Sequence, residues 1–97
     1  MTPEFHPLAD AELTDAASFY EGSAAGLGAD FLAEMERLVA LVCVYPDVGR
    51  EYPDAIRTVS ARRFPYTLVY QVFGQRIFIL AIAHQRRAPR YWAGRIG

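Results

Sequence analysis

The hydrophobic pattern of this chain changes its period near residue 55, and no other feature of the sequence constrains the fold as strongly. After that point, three consecutive segments are rich in β-branched and aromatic residues: AIRTVSARRF, PYTLVYQVF and RIFILAIAH. Such segments predict β-strands. Gly74 and Gln75 lie between the last two and fit a two-residue hairpin turn with glycine first. The last segment is apolar on both faces, so we expect it inside a sheet that helices cover on at least one side.

Before residue 55 the pattern is helical. Pro7 suits the first position of a first helix, whose apolar residues recur at helical spacing: Ala9, Leu13, Ala16, Ala17 and Tyr20. The glycine-rich segment EGSAAGLG predicts a break after it. A second helix is predicted from about Gly28 to Tyr45, where Pro46 ends it. Its buried stripe is predicted to be Phe31, Met35, Leu38, Val42 and Tyr45.

The remaining segments complete the predicted fold. TPEFHP is interrupted by Pro3 and Pro7, so it forms at most a short edge strand. PDVGREYPD is predicted to be a loop, and PRYWAGR a short C-terminal helical turn that begins at Pro89. The predicted order is therefore β-α-α-β-β-β, with a short N-terminal strand and a helical pair packed on a small, mostly antiparallel sheet. This is an α+β fold, and a chain of 97 residues is expected to form one domain, residues 1–97.

The sequence has few signals for a cofactor or for targeting. Cys43 is the only cysteine, so neither an intrachain disulfide nor a cluster of thiolate ligands can form. His6 and His84 stand at opposite ends of the sequence without a recognisable third ligand, and no glycine-rich phosphate-binding motif is present. We therefore predict no metal and no cofactor. The N-terminus has no signal-peptide pattern, and no apolar run approaches the roughly 20 residues that cross a bilayer. We expect a soluble, cytoplasmic protein that does not bind membranes.

The charges are divided unequally between the two halves of the chain. Residues 1–48 contain nine acidic residues and one basic residue, Arg37, whereas residues 49–97 contain nine arginines and only two acidic residues. There is no lysine. Arginine presents a planar fork that matches carboxylate and phosphate, and it stays charged near neutral pH. The pattern favours a basic binding surface, and equally fits an acidic helical half that neutralises a basic sheet half.

Polar and aromatic residues around the predicted strands form the candidate site. If the three C-terminal strands are neighbours, they bring together a basic patch with aromatic edges, made of Arg57, Arg62, Arg63, Tyr66, His84, Arg86, Arg87, Arg90, Tyr91, Trp92 and Arg95. Such a patch can hold phosphates and stack bases, or it can hold the acidic side chains of a protein partner.

Individual members of this patch have both a structural and a functional interpretation. His84 is the natural acid or base for RNA cleavage, because imidazole exchanges protons near neutrality. A histidine that ends an apolar strand is more often bonded to backbone, and we favour that interpretation. Tyr66 and Tyr70 alternate with Leu68 and are predicted to lie in the core. Trp92 is predicted to anchor the tail to the sheet, with partner binding as the alternative.

The second half of the chain resembles the RelE/ParE superfamily of toxins from bacterial type II toxin–antitoxin modules. The resemblance rests on Ile56-Arg57, on FPYTLVY, on IFILAIAH with Arg86 two residues after the histidine, and on Tyr91-Trp92 with Arg95. In the first half, the spaced residues of A..EL.DA..FYE and GLG..F agree as well. The likeness covers nearly the whole chain and is greatest to the ParE-like, plasmid-stabilisation branch.

The resemblance implies a cognate antitoxin, with which the toxin forms a hetero-oligomer, and one of two targets. RelE-like members cleave mRNA in the ribosome without a metal, and ParE-like members inhibit DNA gyrase and arrest growth without being nucleases. A nuclease would use Arg57, His84, Arg86 and Tyr91, with Glu51 as a conceivable acid. The absence of lysine departs from the RelE-like pattern, so we expect gyrase inhibition. The alternatives are a ribosome-dependent endoribonuclease and a module that only binds its antitoxin.

A partner-binding surface is therefore expected to include eight residues of the basic half: Arg57, Arg62, Arg63, Arg86, Arg87, Arg90, Trp92 and Arg95.

Overall fold

The computed structural model describes residues 1–96 and places two α-helices against a five-stranded sheet. The helices are α1 (Pro7–Ser23) and α2 (Leu27–Val44). The strands, in chain order, are β1 (Thr2–Phe5), β2 (Arg50–Tyr52), β3 (Ile56–Ser60), β4 (Tyr66–Phe73) and β5 (Arg76–His84). A 3-10 turn, Ala93–Arg95, follows near the C-terminus. The predicted α+β fold, with a helical pair on a mostly antiparallel sheet, is confirmed.

The sheet has the strand order β1-β5-β4-β3-β2. β5 pairs with β1 in parallel and with β4 antiparallel, so the strand predicted to lie inside the sheet does so. Gly74 has φ +57° between β4 and β5, a conformation that glycine adopts at little cost, and the predicted hairpin turn is confirmed. β1 pairs with β5 only as far as Ile79, which leaves the rest of that edge of β5 without a neighbouring strand.

Two predicted segments differ from the structure. Part of the predicted loop forms β2, which pairs antiparallel with β3 through Glu51 and Arg57. All three β2 side chains are exposed, so no alternation of apolar residues marks this strand in the sequence. The C-terminal turn begins at Ala93 and not at Pro89. Arg90 has φ +58°, which lies outside the right-handed helical region and prevents a helix from starting at Pro89.

Buried side chains form one cluster on each face of the sheet. The larger cluster joins α1 and α2 to β4 and β5, and its centre includes Phe31, Leu68 and Tyr70, all fully buried. The smaller cluster lies on the helix-free face, where Trp92 packs with Ile56 and other strand residues. Trp92 is only 8% exposed, so it anchors the C-terminal tail to the sheet, as predicted.

The connection between the helices depends on a close approach at Gly28. A Cβ atom there would lie 2.6 Å from the carbonyl oxygen of Ala17 and 2.9 Å from the Cβ of Glu21. The Glu21 carboxylate also accepts hydrogen bonds from the backbone N–H groups of Gly26 and Gly28, both at 3.0 Å. The two helices can therefore lie this close only if residue 28 has no side chain.

We expect Gly28→Ala to lower the free energy of unfolding by about 1–3 kcal/mol, because the new methyl group forces the helices apart. Gly22, inside α1, serves as the control, because a methyl group added there would meet no atom within 4 Å. Gly22→Ala is expected to raise the same free energy by about 0.5–1 kcal/mol, since alanine favours a helix. Urea unfolding measures both changes. If the two variants changed the free energy of unfolding in the same direction, this description of the packing at Gly28 would be wrong.

Candidate functional site

A cavity of about 390 Å³ opens on the helix-free face of the sheet, between strands β2 to β4 and the tail that follows β5. Arg50 and Thr58 are paired across β2 and β3, so their side chains lie on the same face. Ser60 and Thr67 are paired in the same way across β3 and β4. We call this cavity the open-face pocket; its lining includes three arginines and three serine or threonine residues: Arg50, Arg87, Arg90, Thr58, Ser60 and Thr67.

Each arginine of the open-face pocket lies over an aromatic ring. The guanidinium of Arg87 lies 4.0 Å from the ring centre of Tyr91, and that of Arg90 lies 5.3 Å from the ring centre of Trp92. Arg50 lies 5.3 Å from the ring centre of Tyr52. These cation–π contacts restrict the guanidinium groups without neutralising them.

A second cluster, the Glu12 clasp, fastens the tail to α1 and β5. It consists of Glu12, Tyr91 and Arg95. The Glu12 carboxylate accepts hydrogen bonds from the Tyr91 hydroxyl at 2.7 Å and from the Arg95 guanidinium at 2.9 and 3.1 Å. It also accepts from the backbone N–H of Ile82 at 3.1 Å, while Arg95 donates to the carbonyl of Leu80 at 3.0 Å. The clasp therefore provides hydrogen-bond partners for backbone groups of Leu80 and Ile82, on the edge of β5 that β1 leaves unpaired.

The clasp is largely removed from solvent. The side chains of Arg95 and Glu12 are 11% and 18% exposed. Burial, and then the hydrogen bond to Glu12, raise the pKa of the Tyr91 hydroxyl well above its ordinary range, so Tyr91 stays protonated and acts as a donor. Arg95 was predicted to bind a partner. In the structure its guanidinium instead donates hydrogen bonds to Glu12 and to the carbonyl of Leu80, so Arg95 is not part of the candidate binding surface.

Sequence reasoning missed Glu12, although a signal for it exists. Glu12 follows Ala9 by three residues and precedes Ala16 by four, so it lies on the same helical face as these two buried alanines. A carboxylate at such a position needs a buried partner. The partner, Arg95, lies 83 residues away in sequence, and only the fold brings the two together.

Arg57 lies away from the open-face pocket. It is paired with the buried Tyr70 and so faces the helix side of the sheet. Its guanidinium donates to the carbonyl oxygens of Asp47 at 3.2 Å and Gly49 at 3.0 Å, and lies 3.9 Å from the Glu51 carboxylate. Arg57 therefore holds the segment before β2 in place.

His84 is the last residue of β5, two strands away from Arg57 in the sheet. Its neighbour across β4 is Tyr66, whereas the neighbour of Arg57 is Tyr70, four residues further along β4. Four residues of strand span about 13 Å, so the structure does not bring Arg57 and His84 together. The Nδ1 of His84 accepts a hydrogen bond from the backbone N–H of Arg86 at 3.0 Å. This bond agrees with the structural interpretation of His84.

The other candidate residues fall into two groups. His84, Arg87, Arg90, Tyr91 and Trp92 all line the open-face pocket. Arg62 and Arg63 follow β3 and lie beside α2, where Arg63 is 3.7 Å from Asp30 and the backbone N–H of Arg62 donates to the Glu34 carboxylate. Arg86 is exposed and does not line the pocket. Arg50, which was not among the predicted residues, does line it.

Glu34 makes the contact between α2 and the loop after β3 sensitive to pH. The Arg37 side chain donates two hydrogen bonds to its carboxylate, at 2.7 and 2.9 Å. This pairing, together with the Arg62 backbone N–H, lowers the pKa of Glu34 below its ordinary value in spite of burial. A carboxyl group whose pKa is lowered by folding stabilises the protein above its unfolded pKa, and that stabilisation is lost as the pH falls through the folded pKa.

We therefore expect the free energy of unfolding to fall as the pH is lowered through the acid range, and part of this fall to disappear in Glu34→Gln. Glu36→Gln is the matched control, because Glu36 lies on the same helix but is exposed. Urea unfolding at a series of pH values measures the difference. Identical pH profiles for the wild type and Glu34→Gln would contradict this assignment.

Two further properties concern residues 1–96. Within them, no three His, Cys, Asp or Glu side chains are placed so that they could hold a metal ion. None of the helices in this part of the chain is long and apolar enough to cross a membrane.

The fold and the pocket define a class of small α+β domains in which a helical pair covers one sheet face and basic side chains gather on the other. The chain belongs to the family of the ParE toxin of type II toxin–antitoxin systems, parDE, whose model matches residues 4–89. This match confirms the resemblance found in the sequence.

A solved structure has the same fold. The chain is similar to one from the chromosomal ParDE TA system from P. aeruginosa, with a TM-score of 0.62 and 24% sequence identity. The alignment covers 87% of this chain and 95% of that chain. Among curated proteins no significant match is found.

Proposed function

We propose that this chain is the toxin of a bacterial type II toxin–antitoxin module, and that it acts by inhibiting DNA gyrase until a cognate antitoxin binds it. The observation that carries the proposal is the match to the ParE toxin family over residues 4–89. The ParE-like branch, which the sequence resembles, inhibits gyrase. The protein would then act in the cytoplasm as part of a toxin–antitoxin hetero-oligomer, arrest growth when free, and stabilise the plasmid or locus that encodes it.

The geometry of the candidate residues supports binding over RNA cleavage. A nuclease needs its groups around one phosphate, yet Arg57 and His84 lie at different ends of the strands. The Tyr91 hydroxyl already donates a hydrogen bond to the Glu12 carboxylate at 2.7 Å. Nδ1 of His84 already accepts one from the backbone N–H of Arg86. A binding toxin has no such requirement, since exposed arginines can act separately on a protein surface.

Controlled expression tests the toxin–antitoxin part of the proposal. Expression of the chain alone is expected to arrest growth, and co-expression of the small protein encoded beside it is expected to restore growth. Normal growth on expression of the chain alone, with the protein shown to be folded, would favour a module that only binds its antitoxin. Inhibition of plasmid supercoiling by the purified protein is the corresponding readout for gyrase.

A ribosome-dependent endoribonuclease is the second candidate function. It is favoured by one observation, that His84, Arg87 and Tyr91 line the same cavity. In that mechanism the arginine would stabilise charge on the phosphate while His84 moves a proton. Primer extension on translated mRNA would then show codon-phased cuts that disappear in His84→Ala. We expect no such cuts, and their presence would replace gyrase inhibition with this function.

A further inference from the structure

We propose that the open-face pocket binds carboxylate side chains of an extended acidic peptide segment, seated on Arg50 and Arg87. The inference deepens the proposed antitoxin binding and rests on it for the identity of the protein that supplies the peptide. It identifies the helix-free face of the sheet as the surface involved, and acidic side chains as the chemistry that is recognised.

The charge of the pocket favours an anionic ligand. Arg90 lies 3.5 Å from the Asp54 carboxylate. Among residues 1–96, by contrast, no carboxylate lies within ion-pair distance of Arg50 or Arg87. The pocket therefore keeps a net positive charge, in a chain whose overall charge is −1. A guanidinium without a partner provides the forked set of donors that a carboxylate accepts in a bidentate manner.

The hydroxyl groups beside these arginines add further donors. Thr58, Ser60 and Thr67 lie on the strands that form the pocket floor. Hydroxyls can donate to a carboxylate oxygen that the arginines leave unsatisfied. A cavity of about 390 Å³ lies within the range of small-molecule sites, so it can hold individual side chains.

The arrangement favours a peptide over a nucleic acid. Base recognition in single strands depends on free aromatic faces, but guanidinium groups lie over the rings of Tyr52, Tyr91 and Trp92. At the rim of the pocket, β2 is the edge strand of the sheet, and an edge strand offers unpaired backbone groups to an extended peptide.

The Glu12 clasp makes the pocket rigid before a ligand arrives. The Tyr91 hydroxyl donates a hydrogen bond to the Glu12 carboxylate at 2.7 Å, and the Arg87 guanidinium lies 4.0 Å from the centre of the Tyr91 ring. Arg95 lies 5.2 Å from the centre of the same ring. Because the ring is fixed, less conformational freedom is lost when Arg87 binds an anion.

A labelled hexaglutamate peptide tests the proposal, with hexaglutamine as the uncharged control peptide. Fluorescence anisotropy at low salt is expected to show binding of hexaglutamate only. Arg50→Gln and Arg87→Gln are each expected to weaken binding about tenfold, since each removes a charge-assisted contact. Arg62→Gln is the matched control variant, because Arg62 is exposed and lies outside the pocket. We expect it to change binding less than about twofold.

Three results would overturn the proposal. The first is the absence of hexaglutamate binding, and the second is an equal loss in Arg62→Gln and Arg87→Gln. The third is tighter binding of a single-stranded oligouridylate that depends on the same two arginines, because that would make the pocket a nucleic-acid site. Arg50 and Arg87 are exposed, so the variants are expected to fold, and circular dichroism checks this.

The growth assay separates this inference from the proposed function. If the antitoxin relieves growth arrest by the Arg50→Gln/Arg87→Gln double variant as fully as arrest by the wild type, the pocket inference is wrong and the toxin assignment stands. If the wild type does not arrest growth, the toxin assignment is wrong. Hexaglutamate binding then still decides whether the pocket recognises carboxylates.

Discussion

Replacing Glu12 by glutamine is expected to lower the free energy of unfolding by about 3 kcal/mol, as removal of one partner from a largely buried ion pair typically does. Four donor interactions converge on this carboxylate, from Tyr91, Arg95 and the backbone of Ile82. The amide of glutamine cannot satisfy all of them, and the Arg95 guanidinium, 11% exposed, loses its counter-charge. Urea unfolding followed by circular dichroism measures the loss.

Asp15→Asn is the control for this prediction. Asp15 lies one turn further along α1 and is exposed, so its substitution is expected to change stability by less than about 0.5 kcal/mol. Combining Glu12→Gln with Arg95→Met in a double-mutant cycle gives the coupling energy directly. A coupling below about 0.5 kcal/mol would show that the two side chains do not act together.

Replacing Phe31 by alanine is expected to lower the free energy of unfolding by about 4 kcal/mol, at least as much as Glu12→Gln does. Phe31 is fully buried and lies at the centre of an aromatic cluster. Its ring centre is 5.3 Å from those of Tyr20 and Phe64, and 5.0 Å from that of Tyr66. Alanine would leave a cavity between α2 and the sheet that these large, mutually packed rings cannot fill.

Phe19 offers a control of the same residue type in the neighbouring helix. It is 69% exposed, so Phe19→Ala removes a ring that solvent already surrounds. We expect that variant to lose less than about 1 kcal/mol. Thermal or urea unfolding of the two variants side by side measures the contrast, and similar losses would mean that the packing around Phe31 is not as described.

The helices and the core were largely predictable because burial follows the period of the pattern. Phe31, Met35, Leu38 and Val42 recur at helical spacing and are all buried. Tyr45 continues the same spacing but is 63% exposed, because α2 ends at Val44 and the backbone of Tyr45 turns away at φ −124°. A periodic pattern indicates which face is buried, but not the residue at which the helix ends.

The candidate site was less predictable, because its contacts connect residues that are distant in sequence. The local sequence around an arginine in the basic half does not predict which group that arginine will contact. The fold pairs Arg95 with Glu12 and turns Arg57 toward the backbone around Gly49. Within residues 1–96, it places no carboxylate within ion-pair distance of Arg87. Arg50 joins the pocket only because β2 forms, and nothing in the local pattern predicts that strand.

The proposed action of this chain on DNA gyrase can be tested in a supercoiling assay with purified components. We expect the purified protein to inhibit supercoiling of relaxed plasmid in a dose-dependent manner, and the cognate antitoxin to relieve the inhibition. A known gyrase inhibitor serves as the positive control. Unchanged supercoiling at saturating amounts of folded protein, while that control inhibits, would contradict the proposed gyrase inhibition.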